Sequence, residues 1–236
     1  SRAGPAERRL SVGADLAMGS MAVRDEFVSR ARYRGGTRAL GVTWQQDIEG
    51  REVCVRLHYL SVAHLRSYNL SAGVTETELR VGCLHRAQGL WALGHPLRVR
   101  LGPFANVFVH FRVQNMASAG QSVFRAYSVA GLLSLGAQGE VAGDLGHHLN
   151  WVAAASFSVL SVVVRSVDVR VSEVSPITFG GPWRALRSGW RAGLGFSPDD
   201  RLDLKLLYAG EFTRIAWRDF FLSGDDAVSV GVSWRF

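Results

Sequence analysis

The chain has 236 residues, of which 47% are hydrophobic and 20% charged, and its basic residues exceed its acids to give a net charge of +7. That apolar fraction excludes a disordered chain. The longest nearly apolar run, Trp151 to Val164, is interrupted by Ser156, Ser158 and Ser161, and it falls short of the roughly 18–20 residues a helix needs to cross a bilayer. Only Lys205 among the basic residues is lysine, and the arginines are scattered without a run. This reads as coding bias rather than a phosphate-binding device, so nucleic acid is not an expected partner. Two cysteines are too few for a disulfide framework. The chain shows no charged-then-apolar leader, which fits a mature exported protein with its signal peptide removed.

Hydrophobicity alternates with a period of two, and only a strand puts alternate side chains on opposite faces. In chain order the alternation predicts strands over about 9–19, 37–47, 51–63, 74–87, 96–113, 123–138, 149–164, 185–197, 201–215 and 226–236. After the first comes a long connector, 20–36, where 21–33 is the best candidate for a turn or two of helix. Strands two and three meet across Asp47-Ile48-Glu49-Gly50, and 64–73 leads on to strand four. Strand five sets Leu97, Val99, Leu101, Val107, Val109 and Phe111 on one face against Arg98, Arg100, His110 and Arg112 on the other. The last is the clearest. Val228, Val230, Val232, Trp234 and Phe236 share one face, while Ala227, Ser229, Gly231, Ser233 and Arg235 share the opposite one.

Connectors alternate between short ones, near 47–50, 94–96, 143–148 and 197–200, and longer ones at 20–36, 64–73, 114–122, 165–184 and 216–225. Tight turns at one end and long loops at the other are the layout of a transmembrane barrel. The expected fold is therefore all-β: a single antiparallel transmembrane β-barrel over residues 1–236, with ten strands, eight and twelve being the alternatives. A soluble sandwich also alternates, but these segments meet or exceed the roughly 9–11 residues that span a bilayer. Trp44, Tyr59, Trp151, Trp190, Phe196, Trp234 and Phe236 stand near the ends of apolar faces, as membrane-interface aromatics do.

The terminal strand resembles the C-terminal signal of bacterial outer-membrane β-barrel proteins. The resemblance implies that Val228, Val230, Val232, Trp234 and Phe236 are read by the barrel-assembly machinery during insertion. The arginine-rich middle, Leu97 to Arg165, also resembles barrels of the Bacteroidota type. A Gram-negative outer membrane, with its lipids around the barrel, is the implied location.

Parity assigns a charged set to the lumen: Arg56, His58, Glu76, Glu78, Arg80, Arg98, Arg100, His110, Arg112, Arg187, Arg191, Asp203, Lys205 and Glu211, with Arg9, Asp15, Arg86 and Arg235 on the same face. Basic groups outnumber acids there, which on one reading makes a narrow, porin-like pathway favouring anions. On the other reading, the interior of so small a barrel is filled. Arginine forks then grip the acids, and Phe104, Phe108, Leu132, Leu160 and Val162 point inward. The filled reading leads: a non-enzymatic barrel, structural or accessory to an envelope complex. The anion channel is the alternative, and an outer-membrane protease or lipid hydrolase the third.

For a protease, Asp225-Asp226 with His64 or His110 are the candidates, although Ser-Gly-Asp-Asp is ordinary turn composition. For a hydrolase, His58 and Ser61 have the wrong parity to share a face. No catalytic residue is assigned. His147-His148 with His95 lack a carboxylate or thiol spaced to complete a metal site, so no metal or cofactor is expected. Parity sends Cys54 inward and Cys83 outward, which predicts no disulfide. Asn69-Leu70-Ser71 matches a glycosylation acceptor without meaning in a bacterium. The outer loops 20–36 and 165–184 mix arginine with aromatics and are the expected place for a protein partner or for lipopolysaccharide phosphates, unless they merely cap the mouth.

Overall fold

The computed structural model describes residues 10–26, 29–48, 51–67, 70–87, 90–92, 95–118, 121–165, 177–217 and 219–236. These form strands β1 (Leu10–Asp25), β2 (Ser29–Ile48), β3 (Arg51–Ser67), β4 (Leu70–Arg86), β5 (Leu90–Ala92), β6 (His95–Ser118), β7 (Gln121–Asp144), β8 (Leu149–Arg165), β9 (Ile177–Gly180), β10 (Ala185–Phe196), β11 (Leu202–Trp217) and β12 (Asp219–Arg235). Ten of them close into an antiparallel ring, with β8 joined to β10 and β12 to β1. Two short strands lie outside the ring, β5 on β6 and β9 on β8. Closure gives every ring strand two partners, so no backbone edge is left for hydrocarbon to meet.

Outside the ring runs a belt of exposed apolar side chains. It includes Val12, Leu16 and Met18 on β1, Leu40 and Val42 on β2, Leu57 on β3, Leu79 and Val81 on β4, and Leu204 and Leu206 on β11. On β12 it includes Val228, Val230 and Val232. Val228 to Phe236 covers about 26 Å of strand at roughly 3.3 Å per residue, which a tilt of about 40° reduces to about 20 Å of height. That is close to the apolar band of about 25 Å on membrane barrels. Trp44, Trp151, Phe196, Trp234 and Phe236 stand at the strand ends nearest the short turns, whereas Tyr59 is opposite Leu40 within the belt and Trp190 lies further along β10. Two tryptophans lie flat over glycine notches. A Cβ on Gly210 would come within 2.7 Å of Trp190 Nε1, and one on Gly143 within 2.5 Å of Trp151 Nε1.

Strands run further than the sequence reading had them. The described residues of 20–36, 64–73, 114–122 and 216–225 are strand rather than long loop, apart from a turn at Glu26, and those of 21–33 are not helical. β1 continues to Asp25, β3 to Ser67, β6 to Ser118 and β11 to Trp217, each returning directly as the next strand. The physical reason is an inversion of phase. Within the belt, β1 presents Val12, Leu16 and Met18 outward and Gly13 and Asp15 inward. Beyond it, Ser20 and Arg24 face out, while Met21 and Val23 are buried inside. The two-residue alternation persists, but outside the bilayer water takes the outer face and the interior becomes a dry core. β2 inverts likewise, from Leu40 and Val42 outward to Arg32, Arg34 and Arg38 outward with Tyr33 buried.

A second difference concerns Leu160 and Val162, expected inward. β7 residues Leu135 and Gly136 pair with Leu160 and Ser158, leaving Val159 as the extra residue of a β-bulge. Val159 and Leu160 are both exposed, each 51%, and parity flips beyond them. Ser161, Val163 and Arg165 are therefore the buried residues.

Candidate functional site: the barrel interior and its outer rim

Three layers fill the interior. The end away from the short turns is closed by Met21, Val23, Tyr33, Leu60, Val62, Leu65, Val74, Phe108, Leu132, Val163, Ile215 and Phe221, which form one buried cluster. Fully burying side chains of this size contributes about 1.5–3 kcal/mol each. Polar groups inside this layer contact one another. Asp25 accepts from Arg165 and from Ser128 at 2.7 Å. The Arg112 guanidinium lies 4.4 Å from the Tyr33 ring centroid and donates to Gln114.

Beneath it lies an ionic layer. His110 Nδ1 is 2.8 Å from Glu76 Oε1, which also accepts from Ser223 at 3.2 Å. Glu78 accepts from Arg187 at 2.6 Å, from Arg80 at 2.8 Å and from Asn106 at 2.9 Å. Arg187 further reaches Thr213 at 2.6 Å and Glu211, and sits 3.9 Å over the Phe108 ring, which ties this layer to the apolar one. His58 is within electrostatic range of Glu211, Arg56, Glu78 and Asp15.

The third layer lines a cavity of about 200 Å³ towards the short turns, walled in part by Arg56, Arg100, Arg191, Lys205 and Arg235. Arg100 pairs with Glu52 and Glu140, Arg191 with Glu140 at 3.0 Å, and Arg56 with Asp15 at 3.6 Å. Arg235 grips both oxygens of Asp203, and Lys205 stands near Asp203 and Glu140. Arg98 is at the rim, 2.7 Å from Asp144.

All fourteen charged residues assigned to the lumen by parity therefore face the interior or its rim. Three acids that pair with them were not assigned: Glu140 and Asp144 lay outside the expected strands, whereas Glu52 has the parity of Arg56 and was legible. With them the excess of positive charge expected of the lumen shrinks, since Glu52 and Glu140 neutralise Arg100 and Arg191 and Asp144 meets Arg98, while Arg165, also unassigned, pairs with Asp25.

Asp225 and Asp226 do not converge. Asp225 has inward parity, whereas Asp226 faces out and accepts from Ser20 at 2.6 Å and Tyr208 at 3.1 Å. His110 is fully buried between the apolar layer and Glu76. Cys54 faces the interior beside Gln45, and Cys83 faces out beside His85. Among the described residues no three His, Cys, Asp or Glu side chains gather to hold a metal ion. His148 Nδ1 is 2.9 Å from the Ser197 carbonyl in the short-turn region. The expectations on Arg9, His64, Asn69 and the His95 side chain fall outside the described residues, as does 165–184 between Ser166 and Pro176.

No protein-family model and no curated protein matches the chain. Solved structures do. The outer membrane protease OmpT from Escherichia coli aligns over 98% of this chain and 97% of its own, at 7% identity and a TM-score of 0.54. The translocator domain of the autotransporter NalP from Neisseria meningitidis aligns over 96% and 88%, at 14% identity and a TM-score of 0.54. The fold is that of the bacterial outer-membrane β-barrels. At such identities the likeness carries the fold and no activity.

Proposed function

We propose that the chain is a non-enzymatic integral outer-membrane barrel, a structural or accessory component of an envelope complex. The carrying observation is the apolar layer across its interior. Side chains from all ten ring strands meet there in one buried cluster, and in the ionic layer beneath Arg187 of β10 pairs across the lumen with Glu78 of β4. A partner-binding role is supported by the wall above the belt on β7, β8 and β9. Tyr127, Val129, Val164, Ile177 and Phe179 are exposed there, and Trp183 is 72% exposed in the adjoining turn. Exposed apolar clusters of this kind mark interaction sites. The aromatic end of β12, Val228 to Phe236, is proposed as the segment read during assembly.

The competing reading is a narrow anion pathway, favoured by the arginine-walled cavity at the short-turn end. Conductance separates the two. The protein refolded into a planar bilayer is expected to insert without steady openings. Openings with anion-biased reversal in a salt gradient would establish the channel instead, with Arg100 and Arg191 as the residues to neutralise.

A further inference from the structure

Above the belt the outward faces of four adjacent strands and β11 differ from the rest of the barrel. Strand register sets Arg214 of β11 opposite Leu222 of β12, Leu222 opposite Arg24 of β1, and Arg24 opposite Arg32 of β2. The next row sets Arg34 of β2 directly opposite Arg66 of β3. Arg38 stands below them, opposite Met18 and Ser61, where the belt ends. Arg32, Arg34, Arg38, Arg66 and Arg214 are all exposed. Of this group, among the described residues, only Arg24 is paired with an acid, Glu26 at 2.6 Å. The outward acid nearby by register, Asp226, is occupied by Ser20 and Tyr208.

Like charges set directly across two strands oppose each other, and this face holds two such pairs, Arg24–Arg32 and Arg34–Arg66. Inside the same barrel, by contrast, Arg80 and Arg187 reach Glu78, Arg100 and Arg191 reach Glu140, and Arg235 reaches Asp203. A face that keeps uncompensated guanidinium groups in fixed rows is built to receive anions from outside. Its height names the anion. Leu16, Met18, Leu40 and Val42 lie immediately below on the same outward faces, so the arginines stand where headgroups begin. On the opposite wall the outward residues Tyr127, Val129, Val164, Ile177 and Phe179 are apolar or aromatic, with Arg184 an exposed cation beside Phe179, so the rows of facing arginines lie on one side.

We infer that this arginine face binds the phosphate groups of a phosphorylated glycolipid in the outer leaflet. The inference rests on the membrane-barrel reading, with the short turns facing the periplasm.

The test uses the full chain inserted in zwitterionic phospholipid vesicles doped with bisphosphorylated lipid A or with its dephosphorylated form. Insertion is checked first by the gel shift between unheated and heated samples. Glycolipid retained after detergent extraction is then quantified by mass spectrometry across a titration. The variant R32S/R34S/R38S/R66S removes only exposed side chains, and R98S at the opposite rim is the control. Wild type and R98S are expected to retain the phosphorylated lipid in preference to the dephosphorylated one. The fourfold variant is expected to bind it roughly a hundredfold or more weakly, at about fivefold per arginine. Equal retention of the two lipids, or by wild type and fourfold variant, would overturn the inference while leaving the barrel reading intact. Displacement by millimolar inorganic phosphate would overturn it in favour of a free-phosphate site. Failure to insert would remove the membrane reading and the inference together.

Discussion

Glu78 accepts from Arg187, Arg80 and Asn106 at once while only 4% exposed. Removing one member of a buried pair leaves the others charged and unpaired, which costs more than the pair contributes. Glu78→Gln is therefore expected to lower stability by on the order of 3–5 kcal/mol, measured by urea unfolding in vesicles. Replacing Glu78 and Arg80 together by methionine is expected to cost less than the sum of the single changes. Asp199, in the turn between β10 and β11, acts differently. The backbone N–H groups of Arg201 and Leu202 donate to its Oδ1 at 2.8 and 2.7 Å. These bonds favour the carboxylate and hold its pKa below the ordinary aspartate value. A depressed pKa stabilises the folded state above the unfolded pKa and loses that contribution as pH falls through the folded one. Asp199→Ala is thus expected to melt below wild type at neutral pH and level with it in strong acid, by thermal scans across pH. At this scale the sequence was informative: parity gave the direction of Glu78, Arg80 and Arg187. It gave no partners, because pairing joins residues such as Glu78 and Arg187 that only ring closure brings together.

The bulge on β8 is where a strand departs from its own period. Val159 has no partner on β7, and beyond it Ser161 donates to or accepts from Ser134 at 2.9 Å and Arg165 reaches Asp25. Deleting Val159 restores a regular ladder and keeps every other side chain on its face. That variant is expected to fold and to show the unheated gel mobility of wild type. Deleting Val163 instead would turn Arg165 outward, away from Asp25, and is expected to reduce the folded fraction in the same gel. A bulge leaves no mark on apolar composition, since Val159, Leu160, Val162 and Val163 are equally hydrophobic. That is why Leu160 and Val162 read as inward. The long strands were missed for a related reason. Arg32 and Arg34 on the outer face of β2 look like loop composition to a reading that expects apolar residues outside, and the same residues are regular once the surroundings change from hydrocarbon to water.

Across the whole molecule, three surroundings meet one sheet: hydrocarbon outside the belt, water outside its extension, and an interior graded from apolar to ionic to open cavity. The silent bilayer expected above follows from that grading, because the apolar layer spans the ring. The sequence by itself determined the strand class, the parity, the belt on β12 and the charged character of the lumen. These are properties of single strands, set by which neighbours along the chain share a face. Tertiary structure decided the rest: which acid meets which arginine, where the interior is sealed, and that Arg34 stands opposite Arg66 with no carboxylate between them. Those depend on register and closure, which fix the distance between residues far apart in the chain, and a two-residue period carries no information about either.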